Sequence, residues 1–312
     1  MTEDRLYLID TFALIFRAYY GNMRIKNGAA NTMARMLLAL VAQHKPTHIA
    51  CVFDRPEPTF RHDLYPEYKA NRAEMPEDLR PQIPMIRELI EGLNLPIVEL
   101  AGYEADDVMG TLARQASQRG LAAVIVSPDK DLLQLVDDAG GIQVLNNRDG
   151  EVWIDRAGVK ERFGVWPEQV VDLLTLMGDA SDNVKGVDGI GEKGARDLME
   201  QYGTLDNLVA HRADLKRKAH REGLESALER LPLVKRLVTV VTDLTLPLGL
   251  DDLVYKGVDQ AQARAAFKRL GFEALTKQFT AIGAPAEAGA AGTGSARTYS
   301  AAATTADLEA AV

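Results

Sequence analysis

Three short apolar runs punctuate the first half of the chain: 5–9, HIACVF at 48–53 and AAVIV at 122–126. Each is too short for a core helix and rich in residues that favour extended backbone, so each predicts a buried strand. Helical periodicity fills the intervals at 32–43, 78–92, 104–119 and 130–136. Strands alternating with helices predict an α/β fold with a mostly parallel central sheet flanked by helices. From about Val165 the strand signals fade, and helices are expected at 167–177, 193–201, 223–241, 259–269 and 272–281. Beyond Ile282 the chain is rich in Ala, Gly, Ser and Thr and holds a single aromatic, too little apolar surface to offset chain entropy. The expected organisation is a core at 1–165, a helical subdomain at 166–282 and a disordered linker or tail at 283–312. A linker in that place suggests a piece of a longer protein.

Composition narrows the classes. No apolar run reaches the ~18 residues of a spanning helix. The start, MTEDRLYLID, lacks the basic and apolar stretches of a secretory signal, so a cytoplasmic protein is expected. The one cysteine, Cys51, rules out a disulfide framework and a cysteine zinc site, and its apolar flanks suggest an inert buried thiol. A net charge of −9 argues, taken alone, against nucleic acid.

The position of the acids reverses that argument. Asp10 and Asp54 directly follow the first two strands, and Asp129 follows the third after Ser127 and Pro128. In an open parallel sheet the carboxyl ends of strands converge on one crevice, where ligands bind. GYEADDV adds Glu104, Asp106 and Asp107; SPDKD adds Asp131; GDASDN adds Asp179 and Asp182. Acids at helix starts also cap the backbone and offset the dipole. Capping alone does not account for nine carboxylates, which together equal the whole formal charge of −9. Two carboxylates ~5 Å apart repel by ~3 kcal/mol at an effective dielectric of 20, so such a cluster needs cations or protons. All-oxygen donors favour Mg²⁺ or Mn²⁺ over zinc.

Between the second strand and the helix near 78, Arg55, Arg61, Lys69, Arg72 and Arg80 interleave with Phe60, Tyr65 and Tyr68. Cations suit phosphate oxygens and Tyr offers a stacking face to an unpaired base, although a solvated loop would look similar. IFRAYY places Arg17 and Tyr19 on a helix after Asp10, near the same crevice or packed into the core. Residues 212–236 carry a local charge of +4, which by default is solvated helix surface. Gly189-Ile-Gly191-Glu-Lys193-Gly194 matches a dinucleotide fingerprint only literally, because no strand precedes it. A helix–turn–helix hairpin fits better, with Gly186, Gly189, Gly191 and Lys193 close to a duplex backbone.

In this order and spacing the motifs LYLID, IFRAYY, FD, TFRHDLYPEYKANR, GYEADDVMGTLA, SPDKDLLQLV, LMGDASDN and GVDGIGEKGARDL resemble the 5′ nuclease domain of bacterial DNA polymerase I, a relative of flap endonucleases. The resemblance runs from about Leu6 to about Phe279. It implies two or more divalent metals on the nine acids, with Asp10, Asp54, Glu104, Asp106, Asp129 and Asp131 nearest and Asp107, Asp179 and Asp182 at one remove. It implies a helical arch whose Tyr68, Lys69 and Arg72 handle the substrate with Arg17 and Tyr19, Lys69 and Arg72 being catalytic. It also implies a helix-hairpin-helix motif binding duplex DNA, with K⁺ near Val187 and Ile190. The expected protein is a monomer acting on 5′ flaps, nicks or recessed 5′ ends. Thr11 stands where the family usually has Gly, Lys185 where Pro commonly precedes Gly186, and 21–31 is shorter than usual. A free-standing 5′ nuclease or RNase, a non-catalytic DNA-binding module and a phosphotransfer domain are the alternatives. The last two leave the full acid set or the hairpin and arch without a role.

Overall fold

The computed structural model describes residues 4–23, 25–148 and 150–281. The expected tail at 283–312 lies outside them. Six strands form the main sheet: β1 (Arg5–Asp10), β2 (His48–Val52), β3 (Ile97–Val98), β4 (Ala122–Val126), β5 (Ile142–Asn146) and β6 (Val152–Ile154). Their order is β3-β2-β1-β4-β5-β6, and every pair is parallel except β5 with the edge strand β6. The register sets Asp10 beside Val52 and Ile9 beside Val126. The carboxyl ends of β1, β2 and β4 are thereby brought level, which places Asp10, Asp54 and Asp129 on one edge.

Both sheet faces are covered, which is why the strands read as continuous apolar runs. Along β1, Leu6 and Leu8 pack into one core with the helix at Ala105–Gln118, while Tyr7 and Ile9 pack into the other. All four are buried, and each such side chain contributes about 1.5–3 kcal/mol. The second face carries α1 (Thr11–Tyr20), α2 (Gly28–His44) and α4 (Gln82–Gly92), while the short α3 (Phe60–Leu64) that precedes α4 packs Leu64 against the first core. The first face carries α5 (Ala105–Gln118) and, beyond β6, α6 (Arg156–Phe163), α7 (Val170–Met177), the two-residue strands β7 (Gly178–Asp179) and β8 (Val184–Lys185), α8 (Glu192–Tyr202), α9 (Leu205–Ala210), α10 (Lys218–Ala227) and α11 (Leu231–Val238). The chain then returns to the second face, where α12 (Gln260–Arg269) and α13 (Glu273–Ala281) add Phe267, Leu275 and Phe279. Cys51 is fully buried, and burial pushes its thiol up to about 12, consistent with an inert core residue.

Three expectations change. The arch is not helical: residues 65–81 form successive turns, broken by Pro66, Pro76 and Pro81, which restrict the backbone and remove N–H donors. The helix expected at 223–241 is two, α10 and α11, with Pro232 in the first turn of the second. The segment 130–136 is a 3-10 turn at Asp131–Leu135. Among the described residues no helix is long and apolar enough to cross a membrane.

Candidate metal centre

Helix starts and strand ends share the same acids. Asp10 ends β1 and also caps α1, accepting from the Ala13 N–H at 3.1 Å. Asp54 accepts from the Ala105 N–H at 2.8 Å, the first donor of α5. The N-termini of α1 and α5 thus both point into the cleft and favour anions there. Asp10, Asp54, Glu104, Asp106 and Asp129 line this cleft together with Lys69, Arg72, Phe12, Ala13 and Phe16. Asp131 adjoins it, its backbone N–H donating to Asp129 at 2.8 Å.

The remaining acids are held by cations. Asp179 is buried, accepts from Lys130 Nζ at 2.9 Å, and is also bonded by Ser181. Asp182 accepts from the Tyr68 hydroxyl at 2.6 Å and from Arg72 at 2.7 Å. Glu104 accepts from Lys69 Nζ at 2.6 Å and from the Tyr68 hydroxyl at 3.0 Å. Lys69 has a left-handed backbone, φ 57°, and its N–H donates to the Asp182 carbonyl at 3.0 Å. The turns carrying Lys69 and Arg72 are therefore fastened to the β7–β8 loop.

The electrostatics divide the cluster in two. Burial pushes the carboxyls of Asp54 and Asp129 up, and those of Asp106 and Asp131 well up, with neighbouring carboxylates adding to it. Asp10 is raised to about 6, chiefly by burial, against bonds from Ser127 and Ala13. For Glu104 burial is outweighed by Lys69 and Arg61, and for Asp179 by Lys130 and Ser181, so both fall below the usual range. Lys69 and Arg72 ease Asp54, and Lys130 eases Asp129 and Asp131, but burial outweighs them, and no cation of the described residues is set against Asp10 or Asp106. Among the described residues no three carboxylates are drawn into one coordination sphere. Mutual repulsion opposes such a convergence, and Lys69, Arg72 and Lys130 hold three of the acids in ion pairs. The donor set nevertheless suits a hard divalent cation. It is all oxygen, and Asp131 Oδ1 is buried without a hydrogen-bond partner.

Several expected site residues stand elsewhere. Asp107 is fully buried and turned from the cleft, its two oxygens accepting from Arg61 at 2.6 and 2.8 Å. Arg61 is itself only 2% exposed, which removes it from any DNA-facing surface. One residue along a helix is a turn of about 100°, so Asp106 and Asp107 cannot share a direction. Tyr68 and Tyr19 are also buried and offer no open stacking face; the Tyr19 hydroxyl donates to Asp78 at 2.7 Å. Arg17 is exposed on α1. The aromatics that line the cleft are instead Phe12 and Phe16, one turn apart, with Tyr20 stacked on Phe16 at 6.3 Å between ring centroids. Their i, i+4 spacing after Asp10 was the available signal. Lys130, between two of the acids in SPDKD, was the other omission.

The hairpin joins α7 to α8. A Cβ on Gly186 would lie 2.3 Å from the Gly178 backbone nitrogen, so only glycine permits this crossing. Gly189 has φ +81°, and Gly189, Gly191 and Lys193 are exposed at the turn. The side chains of Val187 and Ile190 are buried, and the Val187 carbonyl accepts from the Ile190 N–H at 3.1 Å. Lys185 is exposed and pairs with Asp188 at 3.0 Å, while Thr11 is buried and donates to the Ile9 carbonyl at 3.3 Å.

Comparisons with known proteins agree with this architecture. Residues 5–164 match the model of the 5′-3′ exonuclease N-terminal resolvase-like domain, and 165–261 that of the 5′-3′ exonuclease C-terminal SAM fold. A 5′-3′ exonuclease of Aquifex aeolicus is 35% identical over 283 residues, covering 89% of this chain and 96% of that protein. DNA polymerase I of Bacillus caldotenax is 37% identical over 284 residues; the match takes in 88% of this chain but 32% of the polymerase. The chain thus spans about a third of the polymerase relatives it matches. A bacteriophage T5 5′-exonuclease solved with bound zinc shares the fold, with a TM-score of 0.68, 21% identity and coverage of 89% of this chain and 98% of that one. With the two domain models matched in succession over residues 5–261, this chain belongs to the 5′-3′ exonuclease family.

Proposed function

We propose that the chain is a structure-specific 5′ nuclease that hydrolyses DNA phosphodiesters with divalent metal ions, Mg²⁺ or Mn²⁺, at 5′ flaps, nicks or recessed 5′ ends. The observation that carries this reading is one cleft holding uncompensated carboxylates beside Lys69 and Arg72. Asp10, Asp54, Glu104, Asp106, Asp129 and Asp131 would hold the ions, with Asp179 and Asp182 at one remove. When bound, two such ions supply an activated water, neutralise phosphate charge and stabilise the departing 3′ oxygen. Lys69 and Arg72 stabilise the equatorial oxygens of the reacting phosphate. Their pairing with Glu104 and Asp182 keeps both heads at the cleft before substrate arrives. Phe12 and Phe16 offer a stacking face to an unpaired base entering beside Asp10. The hairpin around Gly189 and Gly191 approaches the duplex backbone without reading sequence, and the loop at Val187 and Ile190 would hold K⁺ there. The products are a 5′-phosphate and a 3′-hydroxyl.

Cation filling also reconciles a net charge of −9 with DNA binding, because the eight acids assigned to the ions supply most of that charge. The T5 flap endonuclease solved with DNA and metal ions, and the Rad2 catalytic core solved with DNA substrate, support the substrate class through a shared fold. Continuation into a polymerase is the reading favoured by the Bacillus caldotenax relative; the Aquifex aeolicus protein, matched over 96% of its length, favours a free-standing nuclease. The deciding assay incubates the protein with labelled flap, nicked and single-stranded DNA in Mg²⁺ or chelator. Metal-dependent cleavage at the junction is expected, and Asp106→Asn should abolish it while leaving DNA binding largely intact. Full activity in Asp106→Asn, or in chelator, contradicts the reading.

A further inference from the structure

Arg61 and Asp107 form a buried joint between the two halves of the chain. Every nitrogen of the Arg61 guanidinium is engaged. Nε donates to the Leu237 carbonyl at 2.8 Å, and the other two donate to Asp107 at 2.6 and 2.8 Å. One of these two also donates to the Thr239 carbonyl at 2.9 Å, and the other stands 3.4 Å from Glu104. Leu237 and Thr239 lie at the C-terminal end of α11, where carbonyls lack helical partners. Asp107 closes the opposite side. It accepts from the Val241 N–H at 2.8 Å and from the Glu104 N–H at 3.2 Å, the latter at the start of α5.

Burying a charge pair is a poor route to stability alone, since apolar replacements of equal volume are often as good or better. Its location suggests another role. The first turn of α5 presents Glu104 and Asp106 to the cleft, and Asp107 lies in that same turn. Groups that hydrogen-bond behind a ligand commonly fix its orientation.

We infer that Arg61 and Asp107 are positioning residues: their fork locks the first turn of α5 to the end of α11 and so sets the direction in which Glu104 and Asp106 meet divalent cations. The inference rests on the nuclease reading above and assigns these two residues to neither metal nor DNA. Its test uses the whole chain and Mn²⁺, with Asp107→Asn as the near-isosteric variant. Mn²⁺ affinity without DNA, read by electron paramagnetic resonance, should weaken about 10–100-fold. Turnover on a flap should fall more than KM changes, raised Mn²⁺ should restore part of it, and flap binding in chelator should stay as in the parent. The control is Asp172→Asn, which disturbs the Lys235–Asp172 ion pair of 2.8 Å away from the cleft and should leave Mn²⁺ affinity unchanged. Folded Asp107→Asn with parental Mn²⁺ affinity overturns the inference, as does an equal loss in the control. If Asp107→Asn does not fold, Arg61→Lys is read by the same criteria; failure of both to fold reduces the pair to core support and also overturns it. A parent chain that cleaves no flap in Mg²⁺ sinks the nuclease reading first, and the positioning role with it.

Discussion

Neutralising Asp10 separates what the acidic cleft costs in stability from what it provides for metal. Its carboxyl is raised to about 6 by burial first, with Asp54 and Asp129 adding to it and the Ser127 and Ala13 bonds opposing. Against an ordinary 3.8, that value means roughly 3 kcal/mol of folding free energy is lost once the native group ionises. The native state holds this proton more tightly than the unfolded state. The contribution of Asp10 to stability is therefore fully present below about pH 4, falls as pH rises to about 6 and is level above. Asp10→Asn cannot ionise, yet it keeps an oxygen for the Ala13 N–H that starts α1. In chelator the variant should exceed its parent by about 3 kcal/mol at pH 7 to 8 and by little at pH 4. Urea unfolding across that range reads the difference. Mn²⁺ should then reverse the order, since binding at 1,000 times Kd adds about 4.1 kcal/mol to the parent and far less to a variant short of a ligand. A difference independent of pH, or a variant less stable than its parent at pH 7 in chelator, refutes the claim that these acids are uncompensated without metal.

Other residues give sharper functional splits. Lys69→Ala should lower turnover on a flap about 100- to 1000-fold with little change in binding, measured by single-turnover cleavage at saturating enzyme; a loss confined to affinity would make Lys69 a binding residue. Gly186→Ala places a Cβ 2.3 Å from the Gly178 nitrogen, so thermal stability and duplex affinity in chelator should both drop while Mn²⁺ binding persists. Phe16→Ala should cost about 1–3 kcal/mol of affinity for a flap with unpaired bases and much less for blunt duplex, by fluorescence anisotropy. Equal losses on both ligands would mean that Phe16 only packs α1.

The sheet was legible in the sequence because its strands are buried on both faces. Runs such as AAVIV at Ala122–Val126 have no polar phase to confuse them with an amphipathic helix. The edge was not legible. β3 is two residues long, and β6 alternates outward to a partly exposed Trp153, so neither carries a continuous apolar signal. The hairpin of β7 and β8 is held by only two register pairs inside a segment read for its acids. The helical arch came from the family resemblance alone, and three prolines and the left-handed backbone at Lys69 make turns of residues 65–81.

The candidate site divides along the same physical line. Residue type at a strand end follows from topology, so Asp10, Asp54 and Asp129 could be placed on one edge from sequence. Orientation within one helical turn depends on what packs behind it, and the chain just after α11, over a hundred residues away, supplies that for Asp107. The partner that turns Asp107 inward is Arg61, a cation the sequence gives no reason to separate from Arg72. Burial separates them: Arg61 is 2% exposed and held by two backbone carbonyls as well as a carboxylate, whereas the Arg72 side chain is 40% exposed. A guanidinium with all its donors committed inside the core cannot leave for a phosphate without stranding Asp107 as an unpaired buried charge, a loss of several kcal/mol. Arg72 leaves behind only Asp182, which Tyr68 and Lys69 still contact. The acids and bases of this chain thus sort by the cost of being abandoned, which is high at the α5–α11 joint and low at the mouth of the cleft.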